Sequence, residues 1–276
     1  MAADSLQIAA QIRALSLRLV HKAQASHIGS ALSIADLLAV LIGDSQLCNL
    51  PTFDDPSRDR ILLSKGHACV ALYSALHLKG FFTEGEVMTY GDDFSPFMNH
   101  ASHYVPGVEM STGALGHALP AACGRAYAAK LKQKDWHTFV ILSDGELQEG
   151  SNWEALMFAS HHLLDNLTIC IDYNNLQSLG TVESTLTLSP LDRKLMAFGW
   201  NCITVDGHDH IALSAALQES KIDRLPSAIV MNTCKGKGVS YMEGSVAWHY
   251  KSPNPEQLEA AIDSQLEQGL REVFGE

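Results

Sequence analysis

The sequence lacks the features that define several large classes of protein. Its 276 residues include 19 Lys and Arg against 31 Asp and Glu, which gives a formal net charge of -12. Nucleic-acid binding needs basic residues that contact phosphates, so this acidic balance argues against such a function. No apolar run approaches the roughly 20 residues of a membrane-spanning helix. The N-terminal segment carries Asp4 and has helical rather than continuous apolar spacing, which argues against a signal peptide.

Cysteine motifs are also lacking, although six cysteines are present. They lie far apart in apolar surroundings, and the sequence contains no CxxC. Zinc sites and redox pairs need closely spaced cysteines, so we interpret these six as buried free thiols in a reducing compartment. We therefore expect a cytoplasmic protein. The cysteines are Cys48, Cys69, Cys123, Cys170, Cys202 and Cys234.

Linkers, repeats and low-complexity tracts are missing as well, so nothing in the sequence marks a domain boundary. The chain is longer than most single domains, but one large α/β domain can occupy this length. A hydrophobic fraction of 46% is sufficient for a core without disulfides. We expect residues 1–276 to form one domain.

The sequence does contain amphipathic helices that alternate with short, apolar, β-branched runs. Such an alternation predicts an α/β fold, with a mostly parallel sheet and helices on both of its faces. Helices are predicted at 5–24, at 33–41 with Ser33 as the cap, at 65–79 and at 115–130. Strands are predicted at 138–142, 167–172, 201–205 and 228–232.

Polar residues that could hold a cofactor directly follow two of the predicted strands. Asp144 and Gly145 follow one strand, and Asn174 follows the next. Carboxyl ends of parallel strands meet at one edge of a sheet, so these side chains should share a crevice. A carboxylate, an amide and a backbone carbonyl suit Mg²⁺, which completes its coordination with phosphate oxygens and water. Gly145 would let the backbone approach a diphosphate, and a helix starting near Gly150 would offer it amide donors.

Each of these residues alone is ordinary in a turn, but the longer segment around them resembles a known family. The segment reads SDGELQEGSNWEALMFASHHLLDNLTICIDYNNLQ. It is similar, nearly throughout, to the transketolase segment GDGELQEG…WEA…A…LDNL…DYN..Q, which binds thiamine diphosphate with its metal. Further segments follow in the family's order: SHIGSALSIADLL, LSKGHACVALY, PGVEMSTGALGHAL, AFGW…VDGHD and TCKGKGVSYMEGSVAWH.

The resemblance covers residues 8–260 and implies the diphosphate-binding domain of the thiamine diphosphate-binding fold. It matches the N-terminal third of a full-length transketolase, and on this resemblance we expect the pyrimidine-binding and C-terminal domains to be absent from this chain. The chain therefore resembles the N-terminal subunit of a split, two-chain transketolase. Such a subunit would act on a sugar or sugar phosphate together with a C-terminal partner chain, in an α₂β₂ assembly. It would be inactive alone, because the family's activating glutamate lies on the missing domain.

The resemblance also implies roles for individual residues. Mg²⁺ would be held by Asp144, Asn174 and the carbonyl of Leu176, with Gly145 against the diphosphate. The remaining contacts to the cofactor would come from His67, Gly113, Ala114, Leu115 and His249. The residues expected to act in catalysis are His27, His100 and His249, which would line the sugar channel, and Glu149, which would join two active sites across the subunit interface.

Several positions depart from the family's pattern. Ser143 replaces the first glycine of GDG, and Tyr250 replaces the glycine that follows the last of these histidines. Ser26 and Ile28 stand where the family has glycine and proline, and His117 stands where glutamine is usual. Most of these positions lie near the channel rather than at the metal. We therefore expect retained cofactor binding with an altered donor or acceptor sugar.

Two alternative functions remain open from the sequence. The α chains of keto-acid dehydrogenases bind thiamine diphosphate too and pair with a second chain, although SKGHA and STGALG fit transketolase better. A regulatory protein that binds the cofactor without catalysis is the other alternative. The remaining histidine clusters, His161–His162 and His208–His210, are interpreted as structural, because adjacent helical positions do not face one ion.

Overall fold

A five-stranded parallel sheet lies at the centre of the computed structural model, which describes the backbone of residues 2–274 and the side chains of residues 4–265. The strand order is β1-β2-β3-β5-β4, so the third strand along the chain is central. All four strand pairings are parallel. The strands are β1 (Arg60–Leu63), β2 (Thr138–Ser143), β3 (Leu167–Tyr173), β4 (Asn201–Asp206) and β5 (Ser227–Asn232).

Helices precede, connect and follow these strands, and several of these helices are short. In chain order they are α1 (Ala2–Ala23), α2 (Ile28–Leu32), α3 (Ala35–Gly43), α4 (Cys69–Leu78), α5 (Glu84–Val87), α6 (Ala118–Leu131), α7 (Gly150–His161), α8 (Val182–Thr185), α9 (Leu191–Ala197), α10 (His210–Ser220) and α11 (Pro255–Phe274). Short 3₁₀ turns occupy Gly66–Ala68, Gly145–Gln148 and Val246–His249.

Both faces of the sheet are covered, as the alternation along β2 demonstrates. Phe139 and Ile141 belong to a buried apolar cluster with residues of α1, α3 and α4. Val140 and Leu142 point the other way, into a second cluster with residues of α6 and α7. A strand that is apolar at every position is typical of a sheet buried on both sides. The predicted α/β fold with helices on both faces is therefore confirmed.

All four predicted strands are present, each within one residue of its predicted ends. The strand β1 was missed, because only three apolar residues follow Arg60 and charged residues precede it. The prediction that Ser33 caps the helix running to about Leu41 was wrong, and Ser33 instead stands at the C-terminal end of α2. The residue that precedes α3 is Ile34, whereas the Ser33 hydroxyl donates to the carbonyl of Ser30 and, at 2.7 Å, to Asp172.

Two predicted helices begin later than expected, for a common physical reason. The helix predicted from 65 starts at Cys69, and the one predicted from 115 starts at Ala118. The loops before them cross at Gly66, where a Cβ atom would lie 2.4 Å from the carbonyl oxygen of Thr112. Only glycine permits so close an approach of two backbones. The residues just before these two helices thus form packed loops at the carboxyl edge of the sheet, where the Thr112 hydroxyl donates to the carbonyl of Leu63.

The cysteines of the described chain are unpaired. Cys48, Cys69, Cys123 and Cys170 are buried, as expected, whereas Cys202 and Cys234 are partly exposed. Within residues 2–274, no helix combines the length and the apolar character needed to cross a membrane.

The central strand provides a test of this packing. Ile171 is fully buried on β3, so Ile171→Ala should lower the free energy of unfolding by about 2–5 kcal/mol. Ile171→Val removes a single methyl group and should cost about 0.5–1.5 kcal/mol. Urea unfolding of both variants measures the two losses. Equal losses would contradict a tightly packed site at this position.

Candidate functional site

A cavity of about 270 Å³ opens at the carboxyl edge of the sheet, where the loops after β1, β2, β3 and β5 meet. It gathers most of the residues predicted from the sequence, although they are widely separated along the chain. The predicted residues that line it are His27, His67, His100, Gly113, Leu115, Asp144, Gly145, Asn174, Leu176 and His249.

Three predicted residues lie outside this lining. Ala114 is exposed between two residues that do line the cavity. Glu149 is exposed at the start of α7, on the outside of the described chain, where a partner could reach it. Gly150 is also absent from the lining, so the first turn of α7 does not offer its amides to the cavity as predicted. The backbone that borders the cavity instead belongs to the 3₁₀ turn at Gly145.

Asp144 is held in place by backbone amides of its own loop and of the next one. Its Oδ1 accepts from the amide of Gly145 at 2.7 Å, and its Oδ2 accepts from the amide of Asn175 at 2.6 Å. Burial, together with the charge of Asp172, raises the pKa of Asp144 to about 6. A buried carboxylate with a raised pKa is poorly compensated by its surroundings, so a cation beside it would be stabilised.

The other two predicted metal ligands come from the loop after β3. The Asn174 side chain donates to Asp172 Oδ2 at 3.1 Å, and its Oδ1 accepts from the amide of Leu176 at 3.0 Å. These contacts fix the amide and leave Oδ1 with a free lone pair. The carbonyl of Leu176 accepts from the ammonium of Lys235 at 3.1 Å, so this oxygen already faces a positive charge.

This donor set fits a magnesium diphosphate better than a bare metal. Among residues 4–265, no group of three or more His, Cys, Asp and Glu side chains could hold a metal ion. One carboxylate, one amide and one carbonyl leave octahedral positions for phosphate oxygens and water. Gln177 also lines the cavity, and its buried Nε2 has no acceptor among the described residues. An unpaired buried donor is costly, and an anionic ligand would satisfy it.

A buried ion pair beside the cavity holds the surrounding loops together. Asp172 ends the buried part of β3 and is 0% exposed, and the ammonium of Lys65 contacts its Oδ2. Thr233 and Ser33 donate their hydroxyl groups to the same carboxylate. Burial alone would raise the pKa of Asp172, but Lys65 and these donors outweigh it and hold the pKa below its usual value. The charge of Lys65 is therefore compensated by Asp172 and is not left unpaired for a ligand.

Lys235 is a site residue that the sequence reasoning missed. It is 2% exposed and lines the cavity, where its Nζ contacts His249 Nδ1 at 3.1 Å and the carbonyls of Leu176 and Gln177. Within the described chain its Nζ makes no ion pair with a carboxylate. Burial and the charge of Lys65 lower the pKa of Lys235 to about 8. Its position three residues after the end of β5 places it at the carboxyl edge of the sheet, but its burial is visible only in the structure.

Four histidines form one group across the mouth of the cavity. The centroid of the His27 ring lies 4.9 Å from the ring centroid of His249. It lies 5.3 Å from the ring centroid of His67 and 5.6 Å from that of His100. Burial is the main cause that lowers the pKa of His27 to about 4 and that of His249 to about 3. Burial likewise lowers the pKa of His67 and His100. The four imidazoles are thus neutral near pH 7, and each can donate or accept a hydrogen bond.

The departures from the family's pattern divide into two groups. Tyr250 and Ser143 line the cavity. The Tyr250 ring is 59% exposed and lies 4.7 Å from His249 and 6.3 Å from His27, so it narrows the entrance. The residues outside the lining are Ser26, Ile28 and His117.

The two remaining histidine clusters lie outside the lining of the cavity. His161 and His162 stack edge to face near the end of α7. His208 and His210 contact the buried carboxylate of Asp36 on α3, away from the cavity.

Comparison with known proteins identifies the family to which this chain belongs. The model of the family described as "Transketolase, thiamine diphosphate binding domain" matches residues 4–262. The chain is 38% identical over 247 residues to one of the subunits of apulose-4-phosphate transketolase from Phocaeicola vulgatus, covering 89% of this chain and 88% of that protein. It is 37% identical over 253 residues to 6-deoxy-6-sulfo-D-fructose transketolase subunit SqwG of a Clostridium species, covering 91% of this chain and 92% of that protein.

A solved structure agrees with these matches. The crystal structure of transketolase from Campylobacter jejuni superposes with a TM-score of 0.84 at 30% identity, covering 98% of this chain and 47% of that chain. This chain thus spans about half the length of that transketolase. Of the two enzyme families left open by the sequence, the matches select transketolase over the keto-acid dehydrogenases. The chain belongs to the transketolase family, of which it carries the thiamine diphosphate-binding domain.

Proposed function

We propose that this chain is the diphosphate-binding subunit of a two-chain transketolase, which moves a two-carbon unit from a ketose to an aldehyde. The observation that carries the proposal is the buried ammonium of Lys235, which has no carboxylate partner within the described residues and shares a cavity with Asp144. A buried charge without a counter-ion is strongly unfavourable. A magnesium diphosphate would satisfy both groups, because its phosphates pair with Lys235 and its metal with Asp144.

The division into two chains is supported by the lengths of the relatives. Those called subunits match along 88% and 92% of their own length, whereas the solved transketolase matches along 47%. On this proposal residues 1–276 form one diphosphate-binding domain, and a separate chain supplies the pyrimidine-binding and C-terminal domains. The free thiols of the described chain agree with a cytoplasmic location.

Bound thiamine diphosphate would supply the nucleophilic carbon that cleaves a ketose. The chain's own residues would bind and orient the reactants. Asp144, Asn174 and the carbonyl of Leu176 would hold Mg²⁺, and Gly145 leaves room for the diphosphate beside its backbone. Lys235 would neutralise diphosphate charge.

The four histidines would bind the sugar and exchange protons with its hydroxyl groups. A neutral imidazole can accept a proton from one hydroxyl and donate one to another, and His27, His67, His100 and His249 all line the cavity. His27 has a left-handed backbone, with φ of 72°, and its amide donates to the carbonyl of His249 at 2.8 Å. This contact joins the two segments that carry the closest pair of rings. It would keep the rings oriented toward a sugar in the channel.

Asp144 provides the test of the metal site. Loss of an outer-shell partner commonly weakens metal binding about 10–100-fold, so Asp144→Ala should weaken Mg²⁺-dependent binding of thiamine diphosphate at least about a hundredfold. Calorimetry on the full chain measures this affinity. Asp135→Ala is the matched control, because this exposed carboxylate precedes the opposite end of β2. Equal affinities in the two variants would remove Asp144 from the metal site.

Tyr250 should restrict which sugars enter. Tyr250→Gly would widen the entrance, and we expect kcat/KM for common ketose phosphates to rise about tenfold in the complete enzyme. Tyr250→Phe keeps the ring and removes only the hydroxyl, so its substrate profile should stay close to that of the unaltered chain. A profile that changes with Tyr250→Phe and not with Tyr250→Gly would contradict a steric role.

Assembly is the decisive test of the two-chain proposal. The chain alone should show no ketol-transfer activity, and a partner with the pyrimidine-binding domain should restore it in the presence of thiamine diphosphate and Mg²⁺. Light scattering should then detect an α₂β₂ complex, with the exposed Glu149 at the interface between two active sites. The cofactor should strengthen assembly, because a ligand that bridges two subunits favours the joined state. Full activity of the isolated chain would overturn the proposal, and an inactive complex that binds cofactor would favour a regulatory protein.

A further inference from the structure

A second cluster of ionisable side chains lies behind the cofactor cavity. Its centre is the carboxylate of Asp36 on α3, which is 4% exposed. Arg13 contacts Oδ2 of this carboxylate, His208 Nδ1 lies 2.6 Å from the same oxygen, and His210 Nε2 lies 3.1 Å from Oδ1. Burial would raise the pKa of Asp36, but Arg13 and the two imidazoles outweigh it and hold the pKa well below its usual range. The centre of the cluster is therefore ionised.

The neighbours of His208 determine which of its ring nitrogens carries the proton. The backbone amide of Cys234 lies 2.8 Å from Nε2, and an amide N–H can only donate. Nε2 must therefore be unprotonated, and Nδ1 carries the hydrogen that it donates to Asp36. A neutral imidazole in this tautomer satisfies both partners. His208 thus connects a fixed carboxylate on α3 to the backbone that follows β5.

Cys234 directly precedes Lys235, whose ammonium enters the cavity. The segment around them has two further anchors. The hydroxyl of Thr233 contacts Asp172, and the amide of Gly236 donates to the carbonyl of Gly29 at 2.9 Å. His208 holds the amide between these anchors. Contacts before and after Lys235 thereby fix the position of its backbone. Its Nζ is directed toward the carbonyls of Leu176 and Gln177.

We infer that Asp36 and His208 are positioning residues for cofactor binding, because Asp36 orients His208, and the hydrogen bond that His208 accepts from the Cys234 amide holds Lys235 in the cavity. The inference rests on the proposed function, in which the Lys235 ammonium pairs with the diphosphate. Neither residue touches the cavity itself. Their effect on Lys235 passes through the hydrogen bond between His208 and the Cys234 amide. The Lys235 side chain is therefore already oriented when the diphosphate binds.

Two conservative substitutions at His208 separate its two hydrogen bonds. His208→Asn places an amide nitrogen near the position of Nδ1, so it keeps the bond to Asp36 and loses the acceptor for Cys234. His208→Gln places an amide oxygen near the position of Nε2, so it keeps that acceptor. We expect the Asn variant of the full chain to bind thiamine diphosphate with Mg²⁺ about tenfold more weakly by calorimetry, and the Gln variant to stay within about threefold. Equal affinities, or the reverse order, would overturn the inference.

Lys235→Met tests whether the effect passes through the lysine. In that background His208→Asn should cause no further loss of affinity, whereas additive losses would mean that His208 acts by another route. His137→Asn is the matched control, because His137 is 5% exposed and loses a bond to Thr168 at the opposite end of the sheet. It should lower Tm and leave cofactor affinity unchanged. An equal loss of affinity in this control would return His208 to a purely structural role.

Amide hydrogen exchange provides a readout that needs no cofactor. His208→Asn should accelerate exchange of the Cys234 amide, and the amides of β5 should keep their protection. Uniform acceleration across β5 would overturn the inference. If the unaltered chain fails to bind thiamine diphosphate, the proposed function fails, and the exchange experiment still decides whether His208 holds this segment.

Discussion

The cavity depends on a single buried carboxylate at the end of the central strand. Asp172 joins the loop after β1 through Lys65, the segment before α3 through Ser33, and the loop after β5 through Thr233. Its contact with Asn174 also fixes a proposed metal ligand. Loss of one partner from a buried ion pair commonly costs about 3–5 kcal/mol, because the other charge is left without compensation. Asp172 therefore determines where the walls of the site stand before any ligand binds.

This use of Asp172 leaves an unequal distribution of charge around the cavity. The Lys65 ammonium is paired with Asp172, whereas the Lys235 ammonium contacts carbonyls and an imidazole and makes no ion pair within the described chain. Burial keeps the four histidines at the entrance neutral. A chain with a net charge of -12 thus presents a local positive charge where the family binds a diphosphate. The overall charge of a protein and the charge of its binding site are separate quantities.

The sequence predicted the fold and the proposed metal ligands because both can be read from the apolar strands and from the residues that follow them. Long apolar runs located β2 and β3, and the residues after them included Asp144 and Asn174. Lys235 was missed because nothing in its sequence indicates burial, which arises only when β5 enters the sheet beside β3. The histidine clusters were interpreted as structural from their spacing. Spacing could not reveal that His208 and His210 contact Asp36, because these contacts join segments about 170 residues apart in the chain.

The contact between the His27 amide and the His249 carbonyl bears on how the protein is made. At synthesis rates of about 5–20 residues per second, His249 leaves the ribosome roughly 10 to 45 s after His27. A nascent chain can form the sheet through β5 and still lack one wall of the cavity. The early helices must avoid aggregation during this interval, because the later segments that cover their apolar faces have not yet been synthesised. On the proposed function, a chain truncated before His249 would lack this wall and should bind thiamine diphosphate poorly, so cofactor uptake would report whether synthesis has passed His249.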